Sequence, residues 1–147
     1  YQFMNKFFVG LFIISLTACS QYKDEKLLCV GDIEKNVDGR IVTEKHHHVV
    51  LKIKDDNIRL SKNSTTFKEW IKVCDNGSHP LATKEQIYFN VKGCNASVDE
   101  NGLAFEGTYN ITTKKLDIKQ KSFEENFAGH FTCETGNLTQ KDFKITH

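Results

Sequence analysis

A two-residue alternation of apolar and polar side chains, interrupted by turn signals, is the strongest constraint on how this chain folds. Successive side chains of a strand point to opposite faces, so the alternation marks strands with one buried and one wet face. Leu27, Cys29, Gly31 and Ile33 share one face, opposite Asp32 and Glu34. Asn36-Val37-Asp38-Gly39 then marks a hairpin, because Asp-Gly accepts the positive φ of a tight turn. A long strand runs from Ile41 to Ile53. Its apolar side is clean only from Val49 onward, which predicts a bulge near His46 to His48. Asp55-Asp56-Asn57 turns the chain into a short return strand over Ile58 to Leu60. Further on, the runs around Ile87 and Phe89, Phe105 and Tyr109, Leu116 and Ile118, and Phe131 and Cys133 repeat the pattern. Turns over Asp99 to Gly102 and over Thr112 to Lys114 separate the central members.

One segment departs from this period. Thr66 and Glu69 form a capping-box pair, and Phe67, Trp70, Ile71 and Cys74 recur at helical spacing. The expected fold is therefore all-β and mainly antiparallel. Seven to eight short strands and one short helix form a small barrel or a sandwich.

Four cysteines lie within that pattern, at Cys29, Cys74, Cys94 and Cys133. An even number in an exported chain reads as two disulfides. Four cysteines allow three connectivities. Cys29 and Cys133 both face inward on the first and last strong strands, which sheet closure would bring together. That favours Cys29–Cys133, leaving Cys74–Cys94. No Cys-x-x-Cys pair is present to build a zinc ribbon or a thioredoxin-type site.

A fifth cysteine, Cys19, ends a different kind of segment. Met4 reads as the start, Lys6 supplies a positive charge, and Phe7 to Leu16 is apolar apart from Gly10 and Ser15. About ten apolar residues are too few for a membrane span, which takes roughly 20 in a helix. They suit the hydrophobic region of a secretory signal. The run closes on Leu16-Thr17-Ala18-Cys19, which resembles the lipobox of bacterial lipoproteins. The resemblance covers Met4 to Ser20. It implies a signal peptide over 1–18 and a diacylglyceryl thioether on Cys19. It also implies a further acyl chain, such as palmitate, on the new amine. Several chains anchor stably, since each buried methylene adds about 0.8 kcal/mol. Ser20, rather than aspartate, follows the cysteine, which implies sorting to the bacterial outer membrane, facing the periplasm or the surface. Residues 19–26 then read as a lipidated tether and 27–147 as a single β domain.

Lys6 leaves with the signal, so nineteen basic residues face nineteen acidic ones in the remainder. Balanced, dispersed charge offers no footprint for nucleic acid. The expected partners are the membrane, through the lipid, and an envelope or host protein.

Candidate chemistry is sparse. On a regular strand His46 and His48 project to one face and can share zinc or copper, with Glu44 on that face or His130 elsewhere as a further ligand. The alternative is three solvated histidines, and no cofactor is implied. Carboxylates at Asp55, Asp56, Asp99, Glu100, Glu124 and Glu125 sit in turns and charged loops and read as solvated. No nucleophile elbow, Walker loop or dinucleotide fingerprint is present, so no catalytic residue is assigned. The aromatics read mainly as core, with Tyr109 on the apolar face and Tyr88 pointing away to solvent. Asn63, Asn76, Asn95, Asn110 and Asn137 begin N-x-S/T triplets, which in a eukaryotic secreted glycoprotein would accept glycans. Beside the lipobox they read as turn composition.

The sequence thus predicts a non-enzymatic binding or inhibitor lipoprotein of the cell envelope, with a metal-handling envelope protein as the alternative. Small β-barrel lipoproteins that inhibit host lysozyme are similar in size, anchoring and disulfide use, but their Ser-Gly-x-x-Tyr type loop is absent here.

Overall fold

The computed structural model describes residues 20–62, 65–66, 69–95, 104–121 and 126–135. The lipobox, the turn at 99–102, Phe67, Glu124, Glu125, Asn63 and Asn137 lie outside the described residues. The longest hairpin joins β1 (Glu25–Val37) to β2 (Arg40–Lys54). Asp38 and Gly39 at its turn have φ of 51° and 79°. That is the left-handed pair which matches the twist of the flanking strands. Asp55 and Asp56 turn the chain in the same way into β3 (Asn57–Lys62). Two-residue strands β4 (Thr65–Thr66) and β5 (Ile71–Lys72) follow. Then come β6 (Gln86–Asn90), β7 (Ala104–Asn110), β8 (Lys115–Lys121) and β9 (Asn126–Thr135).

Every strand pairing is antiparallel, in the order β4-β3-β2-β1-β9-β8-β7-β6. The first and last long strands therefore lie side by side in the middle of the sheet. The outermost strands of more than two residues are β3, whose far side carries β4 and β5, and β6. Ile71–Lys72 pairs with β3 and the next residue, Val73, bridges to Phe89 of β6. This short crossing nearly closes an eight-stranded antiparallel barrel.

The inward face is the alternation read from the sequence. Leu27, Leu51, Ile87, Phe89 and Leu116 are wholly enclosed, and Tyr109 is 1% exposed. An eight-stranded barrel is just wide enough for side chains to fill it. Gly107 stands opposite Phe89, and a Cβ there would run into the Phe89 ring. Its missing side chain lets the ring lie across the sheet.

Cys29 and Cys133 are register partners on β1 and β9, with Cα atoms 3.9 Å apart, and are joined. The second disulfide, Cys74–Cys94, spans 5.6 Å between Cα atoms outside the barrel.

Three expectations need correction. The described residues contain no helix. A two-turn helix has a costly nucleus and few bonds to repay it, whereas the edges of β3 and β6 offer Ile71 to Val73 ready backbone partners. Trp70 is consequently 41% exposed, with the Arg59 guanidinium 5.8 Å from its ring centre.

Residues 20–26 are also more than a spacer. Tyr22 is 6% exposed within the main core, and Lys26 already belongs to β1. The N–H groups of Gln21 and Tyr22 donate to the two oxygens of Asp56 at 2.9 and 3.0 Å. Asp56 is thus a docking point, not a solvated turn acid. Burial, then the charges of Asp56 and Asp75, push the Tyr22 phenol up.

Thirdly, Tyr88 points away from the main core but is not exposed, because a second small core covers it.

A candidate binding cleft on the outer sheet face

Alternation sends Tyr88, Glu106, Thr108, Asp117, Lys119 and His130 to the outside of β6 to β9. Strand register lines four of them up, with Tyr88 opposite Thr108, Thr108 opposite Asp117, and Asp117 opposite His130. The loop after β5 folds back over one end of this row. Its backbone is internally bonded: Gly77 N–H donates to Ala82 O at 3.0 Å, and Ala82 N–H to His79 O at 2.9 Å. Gln86 Nε2 also donates to Leu81 O at 3.1 Å. Cys74–Cys94 ties the loop to the chain leaving β6.

Cys74, Ala82 and Tyr88, with Cys94 against them, form a second small core. His79 stacks on the Tyr88 ring at 3.8 Å and 8°. These groups leave Tyr88 only 1% exposed. The Tyr88 hydroxyl donates to Glu106 Oε2 at 2.9 Å and accepts from Asn90 Nδ2 at 3.2 Å. Asn90, itself 3% exposed, accepts the Lys92 N–H at 2.9 Å. Burial raises the Tyr88 pKa. The Asn90 donor opposes this, and the hydrogen bond and charge of Glu106 add to it. The phenol therefore stays a donor, and it orients Glu106.

Beyond Tyr88 the row opens into a cleft of about 260 Å³, lined among others by Leu81, Gln86, Glu106, Asp117, Lys119 and His130. His130 Nδ1 lies 2.6 Å from Asp117 Oδ1 across the β8–β9 pairing, and both side chains are about half exposed. The cleft presents both signs of charge, a hydroxyl and an apolar wall. Such a set offers hydrogen-bond donors and acceptors to a polar surface. Among the described residues the cleft's lining includes no serine or cysteine, and its one aliphatic hydroxyl is that of Thr108. A second groove of about 280 Å³ adjoins it at Lys119 and runs past Glu34, Asn36 and Ile41, but it is more open.

Comparison with protein-family models, curated proteins and solved structures finds no significant match.

The histidine run lies elsewhere. Gly31 pairs with His47 and Ile33 with Glu44, so Asp32 faces both Lys45 and His46. This is the bulge the alternation predicted, and His46 occupies it with φ of 61°. Histidine is among the residues enriched in that conformation. The extra residue reverses the strand's parity. Glu44 consequently shares a face with His47, not with His46 and His48. Its carboxylate lies 2.6 Å from His47 Nε2 and 3.2 Å from Lys35 Nζ. Burial works to raise the Glu44 pKa, but Lys35 and then His47 outweigh it and hold the carboxyl low. His48 Nδ1 is buried without a hydrogen-bond partner among the described residues. No group of three or more metal-type ligands is gathered among the described residues, and His130 is on β9 with Asp117.

Of the sequence-read positions, the structure joins Cys29 to Cys133 and Cys74 to Cys94. It does not bring His46, His48, Glu44 and His130 into one site. Asn110 closes a turn, its Oδ1 accepting the N–H groups of Thr112 and Thr113 at 2.9 Å. Sequence reasoning missed Glu106, Asp117, Lys119 and Gln86. The signal available was weak: polar residues on the wet side of three strands, with no spacing that sets them apart.

Proposed function

We propose that this chain is a lipid-anchored lipoprotein of the bacterial outer membrane and that its barrel is a non-enzymatic module binding an envelope or host protein. The lipobox at Leu16 to Cys19 supports the anchor, and two disulfides fit an oxidising compartment. One observation carries the binding reading. The barrel is filled by its own side chains, while the outer face of β6 to β9 carries a cleft whose Tyr88–Glu106 pair is buttressed by a disulfide-tied loop. Rigid polar groups on a sheet frame suit recognition, because little ordering is left to be done on binding.

The test is capture from envelope extract with the full chain, beside a variant carrying Asp117→Lys and Glu106→Lys. A partner retained by the wild type and lost from the variant supports the reading. Equal retention removes the cleft from it. Acyl mass on a peptide beginning at Cys19, in membrane fractions, checks the anchor. An unmodified Cys19 in a secreted chain defeats it.

A further inference from the structure

From Arg40 to His47, β2 is bonded to β1 on one side. Its other side carries no strand among the described residues, since β3 pairs with it only from Val50 to Lys54. Within this stretch Arg40 to Glu44 is regular, pairing in register with Val37 to Ile33. The Asp38–Gly39 turn bounds it on one side and the His46 bulge on the other. An unpaired strand edge displays N–H and C=O groups that template another strand. Here the edge also carries three β-branched residues in a row, with Ile41 74% and Val42 45% exposed.

We propose that this edge pairs antiparallel with the same edge of a second copy of the chain, centred on Val42. A two-fold arrangement centred there sets Val42 against Val42, Ile41 against Thr43, and Arg40 against Glu44 twice. Opposite charges and β-branched pairs directly across a sheet are favourable. Neighbouring registers lack this fit. Centring on Ile41 sets Asp38 against Glu44, two like charges. Centring on Thr43 sets Arg40 against His46 and Val42 against Glu44. The Glu44 carboxylate is 39% exposed, so it remains open to a further cation beside Lys35 and His47. Charge complementarity of the edge with itself thus selects both the occupant and the register. This goes beyond the binding reading above, which concerns a different face, β6 to β9.

Sedimentation equilibrium of the purified full chain tests it, with a monomer–dimer equilibrium expected. Arg40→Glu sets two like-charged pairs in place of two opposite ones, and raises the dissociation constant roughly tenfold. Arg40→Glu with Glu44→Arg restores it. Val42→Cys gives an intermolecular disulfide, whereas Lys45→Cys does not, because its two copies lie about 20 Å apart in this register. A chain that stays monomeric at every concentration overturns the proposal. So does a dimer indifferent to Arg40→Glu, or one that links through Lys45→Cys in place of Val42→Cys.

Discussion

Tyr109 and Tyr88 lie on neighbouring strands, are each 1% exposed, and are buried by different means. Tyr109 faces inward, among residues drawn from most of the barrel. Tyr88 faces outward, and among the described residues a loop, a stacked histidine and the Cys74–Cys94 bond cover it. Inward burial is a collective property of the sheet. Outward burial depends on a few covering residues and can be removed without opening the barrel. The contrast separates what holds the fold from what shapes the cleft.

The two disulfides give the largest test of that separation. Cys29–Cys133 closes a loop with a sequence separation of 104, and Cys74–Cys94 one of 20. Loop-closure entropy assigns them about 4–5 and about 3 kcal/mol. In urea unfolding, the Cys29→Ala/Cys133→Ala variant should therefore lose more stability than Cys74→Ala/Cys94→Ala. Only the second should increase amide exchange around Tyr88 while the exchange of β1 and β9 holds. Equal loss of protection in both regions would mean the outer core is not separable.

Tyr88→Phe comes next. It removes the hydroxyl shared by Glu106 and Asn90, and should cost about 1–2 kcal/mol in the same unfolding measurement because Asn90 is left buried with a lost partner. A change close to zero would show that the hydroxyl network is not part of the outer core.

The pH test addresses the inner tyrosine. Burial, followed by the charge of Glu25, pushes Tyr109 up to about 12. The folded state therefore holds this proton more tightly than the unfolded one. The resulting stability is fully present below about pH 10, the ordinary tyrosine value, and is lost as pH rises from there through 12. Ultraviolet titration should show tyrosine ionising with unfolding, and Tyr109→Phe should remove part of that signal and flatten the alkaline fall in stability.

The smallest effect concerns the bulge. His46→Val should destabilise by about 1 kcal/mol, since a β-branched residue tolerates positive φ poorly. His46→Gly should be close to neutral. If both variants behave alike, the left-handed geometry at that position does not matter to the fold.

Much of the inner face was legible in the sequence. Period two alone places Leu27, Leu51, Phe89, Leu116 and Phe131 inward, and all five belong to the main core. The bulge was legible as the point where Val49's alternation fails to extend back to Ile41. The helical spacing over Thr66 to Cys74 misleads because it is a local signal, and the partners that override it, Ile58 and Phe89, are distant in sequence. The candidate cleft was almost invisible. Tyr88 read as exposed because alternation reports which face a side chain takes, not whether something covers that face.

The division follows from range. The sequence by itself determined an all-β chain with one apolar sheet face, the Asp-Gly turn, and cysteines placed to join β1 to β9. Each rests on neighbouring residues whose pattern repeats every two positions. Only the tertiary structure decided that Ile71 to Val73 would nearly close the barrel, that Asp56 would hold Tyr22, and that a loop would cover Tyr88. These depend on which distant backbone edges and side chains meet once the sheet has curved, and no local period encodes that.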